Sequence, residues 1–329
     1  MLSKFLNTKT LIILLVILVG IYFISKLTEK EDRTFKSEMV SIDTADVTKI
    51  VISPKLGGDG KEVIFTKTGT EWKLESAGRF YKPDAAAVTN ILTELLRMKS
   101  ERVAATDESK WKEFEVTDST GTRIKVYNNK KVIADLFVGK FNYTQPKGPQ
   151  NQYQQQRGKM STYIRPAEDN EVYVVDGFIK MSIQANVDSY RDKTLFASDK
   201  DDITKITFKY PGNNSFVLNK QDNSWLLDGQ PTDSVKTVRY LNKLARVTSS
   251  SFIDEVQPLT NTPSHYVKIE GNNILPVEVK AFPADSVNKF VITSSLVPDT
   301  KYSGEKGGLF KKVFVDKSEF FAEEDDDEE

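Results

Sequence analysis

The sequence contains no cysteine and only one histidine, His265. The absence of cysteine excludes disulfides, thiolate zinc sites, iron–sulfur clusters and cysteine nucleophiles, and a single histidine excludes multi-histidine metal sites. The chain also lacks a strong net charge, because 46 Lys and Arg oppose 47 Asp and Glu, a formal charge of −1. We therefore predict no nucleic-acid partner. The 329 residues, 39% of them hydrophobic, suffice for two folded domains.

One long hydrophobic run is present, and it lies near the N-terminus. Residues 11–24 read LIILLVILVGIYFI, between Lys9 and Lys26. A helix of this uncharged stretch measures about 24 Å, short against a hydrocarbon core of about 30 Å, but the flanking lysines can snorkel. No small-residue cleavage site and no lipoprotein cysteine follow it. We therefore predict an uncleaved transmembrane signal anchor over 10–25, behind a cytoplasmic leader over 1–9.

The orientation of this anchor sets the predicted localisation. The Lys and Arg residues on its two sides give no decisive bias. A short leader followed by one hydrophobic run is nevertheless the usual design for exporting the chain behind it. We predict a single-pass protein of the cytoplasmic (inner) membrane, with a polar stalk over 26–40 and the bulk of the chain in the periplasm.

The rest of the chain contains an internal repeat. The strand pattern of residues 46–52 returns at 202–208, and in each copy a second strand, a polar turn and a third strand follow. The third strand carries one tryptophan, Trp72 in the first copy and Trp225 in the second. Their symmetric placement favours core positions over a sugar-stacking platform. Elements that recur in one order indicate a duplication.

One helix follows these strands in each copy. Pro83-Asp84 begins the first helix and Thr232-Asp233 the second. Helical spacing predicts two buried stripes, Val88, Ile91, Leu92, Leu95 and Leu96 in the first helix and Val235, Val238, Leu241 and Leu244 in the second. Short antiparallel strands come after each helix, the last predicted at 311–315, before a helical turn near 318–321.

These elements predict the fold class and the domains. We expect an α+β fold with an N-terminal transmembrane helix and two tandem repeats of antiparallel sheet, each with one main packed helix. The first repeat spans 41–198 and the second 199–322. Residues 141–160 form a Gln-rich loop inserted in a hairpin of the first repeat, either a flexible loop or a partner-binding one. The seven acids at 323–329 form a disordered tail.

Motifs for catalysis are scarce. Residues 57–61 lack the spacing of a phosphate loop, and a hairpin turn explains them better. Residues 199–202 resemble the start of a calcium loop, but Thr204 stands where glycine is required, which favours capping. Ser264 precedes His265, yet neighbouring side chains on a strand point to opposite faces. We predict no enzymatic activity, no catalytic, cofactor-binding or metal-binding residues, and no cofactor.

Several segments carry a resemblance to a known family. They are the strand pair ending in Trp72 with the helix after it, Phe137-Val138-Gly139-Lys140, Thr162-Tyr163-Ile164 with Val172–Val175, and Tyr190-Arg191-Asp192-Lys193 leading to Leu195-Phe196. With the anchor, they resemble the bacterial domain of unknown function numbered forty-three forty. Its members are often encoded beside gliding-type ABC transporter subunits. The resemblance therefore implies an accessory role in an envelope complex, and it implies no site residues.

Three functions compete at this point. The first is a membrane-anchored extracytoplasmic interaction or scaffold protein, an accessory subunit of an ABC-transporter-like complex, with the inner membrane and protein subunits as its partners. The alternative is a module that binds an envelope glycan or peptide in the cleft between the two repeats. A hydrolase that uses carboxylates alone is the third, although the sequence shows no facing pair of carboxylates. The anchor and the repeat favour the first.

Overall fold

Strands with alternating apolar and polar residues build a large first sheet. The computed structural model describes residues 15, 17–19, 37–57, 60–145 and 158–322. The first strands are β1 (Lys49–Ser53), β2 (Val63–Thr68), β3 (Glu71–Ser76), β4 (Arg79–Tyr81), β5 (Ser100–Ala105), β6 (Thr122–Asn128), β7 (Lys131–Thr144), β8 (Lys159–Pro166) and β9 (Val172–Asp176). All pair antiparallel, in the order β4-β3-β2-β1-β6-β7-β8-β9-β5.

A second sheet repeats this path. Its strands and a short ribbon are β10 (Thr194–Ala197), β11 (Ile203–Lys209), β12 (Phe216–Gln221), β13 (Ser224–Leu227), β14 (Gln230–Pro231), β15 (Arg246–Thr248), β16 (His265–Gly271), β17 (Val277–Pro283), β18 (Phe290–Ser294) and β19 (Tyr302–Ser303). The sheet order is β14-β13-β12-β11-β16-β17-β18-β19, while β10 pairs with β15. The predicted α+β class is confirmed, and strands in equivalent positions of the two copies occupy equivalent places.

Four α-helices accompany the sheets in the described ranges after residue 37: α1 (Ala87–Arg97), α2 (Ile179–Ser182), α3 (Ser234–Leu244) and α4 (Leu309–Val313). The two long helices, α1 and α3, lie between equivalent strands of the two copies. Asp233 caps α3, because its carboxylate accepts a hydrogen bond from the N–H of Lys236 at 2.9 Å. Asp84 accepts one from the N–H of Ala86 just before α1. The predicted helix starts are therefore accurate to within a few residues.

The predicted buried stripes are partly wrong. In α3, Val235 and Val238 are 65% and 44% exposed, and the buried face consists of Thr237, Tyr240, Leu241 and Leu244. The stripe is rotated because Tyr240 fits the core while its hydroxyl donates to the carbonyl of Val313 at 2.8 Å. In α1, Leu96 is exposed as well. A rule that counts only aliphatic residues misses an aromatic side chain whose polar end has a buried partner.

The strand predicted at 311–315 is also wrong, because this segment forms α4. Gly307 and Gly308 have φ angles of 68° and 63°, and this left-handed turn starts the helix. Leu309 and Val313, four residues apart, are both buried, as on one face of a helix. A 3-10 helix over Lys317–Phe320 agrees with the helical turn expected there.

Each sheet packs against its long helix over a separate hydrophobic core. Met39 and Val40, at the end of the predicted stalk, are buried in the first core. Among the described residues, no helix combines the length and apolar composition needed to cross a membrane. Apart from Leu15 and residues 17–19, which are helical, the predicted anchor lies outside the described residues, as do the predicted leader, the stalk up to residue 36 and the acidic tail. The predicted Gln-rich loop over 141–160 is too long, because residues 141–144 continue β7 and residues 159–160 begin β8. Its residues 146–157 lie outside the described residues.

Candidate interaction site

The two segments that resemble ligand loops have structural roles. Gly57 lies in a turn between β1 and β2 with a φ angle of 75°, which agrees with a hairpin turn. Asp199 caps a 3-10 helix by accepting a hydrogen bond from the N–H of Asp201 at 3.0 Å, and Lys200 pairs with Asp201. Capping thus explains the acids at 199–202. In the part of the chain that the structure describes, no three acidic or histidine side chains are grouped to hold a metal ion.

The sequence argument about Ser264 and His265 is wrong in its geometry. The hydroxyl of Ser264 lies 2.9 Å from Nδ1 of His265, because Ser264 precedes β16 and is free of the strand alternation. The same hydroxyl donates to the carbonyl of Ala281 at 3.3 Å. The imidazole packs with its centroid 4.9 Å from those of Tyr210 and Phe310. Burial lowers the pKa of His265, which favours the neutral ring, and these contacts place the ring in an aromatic cluster.

The two symmetric tryptophans are packing residues. Trp72 in β3 packs against the first core and Trp225 in β13 against the second, and both are half-buried. They do not lie together, because each belongs to its own sheet. A shared sugar-stacking platform made of these two rings is therefore absent from the described structure.

The segment Tyr190-Arg191-Asp192-Lys193 connects the two sheets through one buried arginine. The side chain of Arg191 is only 2% exposed, and its Nη1 and Nη2 donate to Asp254 of the second half at 2.5 and 3.0 Å. The guanidinium carbon lies 4.3 Å from the ring centroid of Tyr81 in β4 and 3.8 Å from that of Phe252. One side chain therefore joins both halves by a charge pair and by cation–π contacts.

Backbone hydrogen bonds strengthen this junction. The N–H of Asp84 donates to the carbonyl of Tyr190, and the N–H of Asp192 donates to the carbonyl of Lys82, both at 2.8 Å. The side chains of Lys82 and Asp192 pair at 2.9 Å. The motif singled out in the sequence is thus a structural connection between the halves.

A second motif, Phe137-Val138-Gly139-Lys140, lies in β7. The segment 106–121 packs against this motif and covers one face of β7 and β8. A Cβ at Gly139 would lie 2.2 Å from the carbonyl oxygen of Phe114, so only glycine fits there. Next to it, the guanidinium carbon of Arg165 lies 3.7 Å from the ring centroid of Trp111 and 4.5 Å from that of Phe137. This motif also serves packing.

The candidate for an exposed interaction site is the outer part of the β7–β8 hairpin, where residues 141–144 pair with residues 159–162. Pairing between β6 and β7 ends at Val138, opposite Thr122, whereas β7 and β8 remain paired out to Thr144 and Lys159. In the described part of the sheet, this outer portion of β7 has a strand neighbour only on the β8 side. It is therefore a free strand edge, of the kind that partner proteins can extend.

This outer hairpin carries three exposed apolar side chains, Phe141, Tyr143 and Met160, and with the half-buried Phe178, which follows β9, they form what we call the arm patch. Phe141 and Tyr143 are 47% and 51% exposed, and Met160, directly opposite Tyr143, is 46% exposed. The ring centroids of Phe141 and Phe178 lie 4.5 Å apart. The Gln-rich residues 146–157 continue from this hairpin. Clustered aromatic and methionine side chains on a protein surface are typical of interaction sites.

Comparison with known proteins gives one match. A family model described as Domain of unknown function (DUF4340) matches residues 72–266, more than half of the chain, from β3 through the Arg191 junction to the start of β16. No curated protein matches the chain, and no solved structure does. Because the matched span includes strands of both sheets and the segment that joins them, the chain belongs to the DUF4340 family.

Proposed function

We propose that this protein is an interaction protein that docks another subunit through the arm patch. The observation that carries the proposal is the exposure of Phe141, Tyr143 and Met160 on a hairpin that extends beyond its neighbouring strand. At about 150–250 Å² per aromatic side chain, the exposed parts of these three residues amount to roughly 250 Å² of apolar surface. The largest apolar patch on a typical monomer is about 300–600 Å², so the free strand edge beside these side chains, rather than the area alone, supports docking here.

The partner we propose is a subunit of an ABC-transporter-like complex of the bacterial envelope. The transporter association that the family resemblance implies is one reason for this choice, and the apolar segment at 10–25 is the other. In this proposal residues 10–25 anchor the chain in the inner membrane and both sheets lie in the periplasm. The protein acts there as a scaffold rather than as an enzyme.

A purification experiment tests the docking site. Full-length tagged protein, extracted in detergent, should recover transporter subunits, and the variant F141S/Y143S/M160S should lose them. The control V235S/L275S/V287S removes apolar side chains of the second half that are even more exposed, at 65%, 85% and 65%, and it should bind normally. Recovery of the wild-type protein alone, or equal recovery by both variants, contradicts the proposal.

A reporter fusion tests the topology separately. A periplasm-dependent reporter joined after residue 329 should be active, and a reporter that works only in the cytoplasm should be silent. The opposite pattern would place both sheets in the cytoplasm. The alternative of glycan or peptide binding between the halves has less support, because the side chains described at the junction, Arg191 and Asp254, pair with each other.

A further inference from the structure

Three lysines from distant parts of the chain line one cavity of about 270 Å³ in the second half. Lys193 belongs to the segment that joins the sheets, whereas Lys306 and Lys312 belong to the glycine turn and to α4. The remaining lining residues are Thr248, Ser249, Ser250, Ser251, Gly307 and Leu309. Folding thus concentrates positive charge at a place that no sequence motif indicated.

The acidic residues directly beside Lys193 and Lys306 in sequence pair with other cations. Asp192 pairs with Lys82, and Glu305 pairs with Lys289, each at 2.9 Å. Asp254, which follows the serines, holds the buried arginine of the junction. Within the described ranges, no acidic residue lines the cavity. Three positive charges in one concave site attract an anion and repel cations.

The hydroxyl groups add hydrogen-bond donors to this charge. Thr248 and the three consecutive serines after it line the same cavity. The Oγ of Ser249 accepts a hydrogen bond from the N–H of Ser251 at 3.2 Å, while its own O–H remains a donor. Lysine ammonium groups combined with hydroxyl donors match the several oxygen atoms of a phosphate group.

We propose that this cavity binds the phosphate group of a ligand, either a free phosphate or the headgroup of an anionic lipid. At about 30 Å³ per water molecule, the volume accommodates a phosphate and a small substituent. The site is separate from the arm patch and needs no protein partner. It also fits the charge of the folded body, because Lys and Arg outnumber Asp and Glu between residues 34 and 322 by 41 to 37.

Full-length protein in micelles of an uncharged detergent provides the test. Inorganic phosphate is titrated by calorimetry, and micelles doped with phosphatidylglycerol are compared with micelles doped with phosphatidylcholine. The variant K193Q/K306Q/K312Q removes the three charges. The control K130Q/K131Q/K243Q removes the same charge from exposed positions elsewhere.

For inorganic phosphate, we expect the cavity variant to lose about tenfold or more in affinity. For the anionic micelles, we expect a loss of roughly a hundredfold, because each lysine contributes about fivefold. The control should keep the wild-type values. If the cavity variant binds inorganic phosphate more weakly than the wild-type protein does, the ligand is a free phosphate. If it loses only the binding to phosphatidylglycerol micelles, the ligand is a lipid headgroup.

Equal losses in the two variants would overturn the proposal, because they would show attraction by overall charge. Absence of binding to either probe would also overturn it. Binding that appears only after the acids of 323–329 are replaced by Asn and Gln would assign the cavity to the tail instead. Circular dichroism must show the wild-type fold, and K312Q alone, at an exposed position, repeats the test if the triple variant does not fold.

Discussion

The junction contains two arginine–carboxylate pairs that differ in burial, and this contrast yields a quantitative prediction. Arg191 pairs with Asp254 at 2.5 Å, and the two side chains are 2% and 21% exposed. Arg79 pairs with Glu255 at the same distance, but these side chains are 51% and 81% exposed. Breaking a buried pair by removing one partner typically costs about 3–5 kcal/mol, whereas an exposed pair contributes about 0–1 kcal/mol.

We therefore expect R191M to lower the free energy of unfolding by about 3–5 kcal/mol. Methionine keeps much of the side-chain volume beside Tyr81 and Phe252, but it leaves the carboxylate of Asp254 without its main partner. R79M, the matched control, should change the free energy of unfolding by less than about 1 kcal/mol. The corresponding fall in Tm for R191M is roughly 10 °C.

Differential scanning calorimetry of the full-length protein measures both variants in the same detergent. Because two cores are joined at Arg191, R191M is also expected to separate one unfolding transition into two. A Tm for R191M within about 2 °C of that for R79M would refute the argument from burial. The double variant R191M/D254L tests the charge itself, and it should recover part of the lost stability because no unpaired carboxylate remains.

Three further predictions follow from single contacts. G139A should destabilise the protein by at least about 2 kcal/mol in urea unfolding, because its Cβ would lie 2.2 Å from the carbonyl oxygen of Phe114; a wild-type midpoint would contradict this packing. D233A should cost about 1 kcal/mol by removing the cap that accepts from the N–H of Lys236, and D233N should restore most of it. Burial lowers the pKa of His265, so its contribution to stability is complete above its unfolded pKa of about 6.5 and is lost as the pH falls from there through the lower folded pKa. H265F should therefore reduce the fall of Tm below about pH 6.5, and an unchanged profile would exclude this group as the cause.

The motifs that identify the family and the surface proposed for docking have different physical roles. Arg191 and Gly139 belong to contacts that hold the halves and the 106–121 segment together. Phe141 and Tyr143 extend beyond those contacts on the outer hairpin.

The sequence by itself determined the features that depend on local spacing. Alternation predicted most strands, the hairpin turn expected at 57–61 agrees with the observed φ angle of 75° at Gly57, and Asp233 marked the start of α3. These features are readable because a strand, a turn or a cap is decided by residues a few positions apart. The absence of cysteine excluded thiolate chemistry on composition alone.

The tertiary structure alone decided the features that depend on distant contacts. Tyr240 faces the core because the carbonyl of Val313 accepts its hydroxyl hydrogen bond, and Arg191 is buried because Asp254 reaches it from the second half. Likewise, only the folded chain brings Lys193 to the cavity that Lys312 lines. Nothing in the local spacing encodes such partners, because the free energy of each contact exists only after both segments are in place.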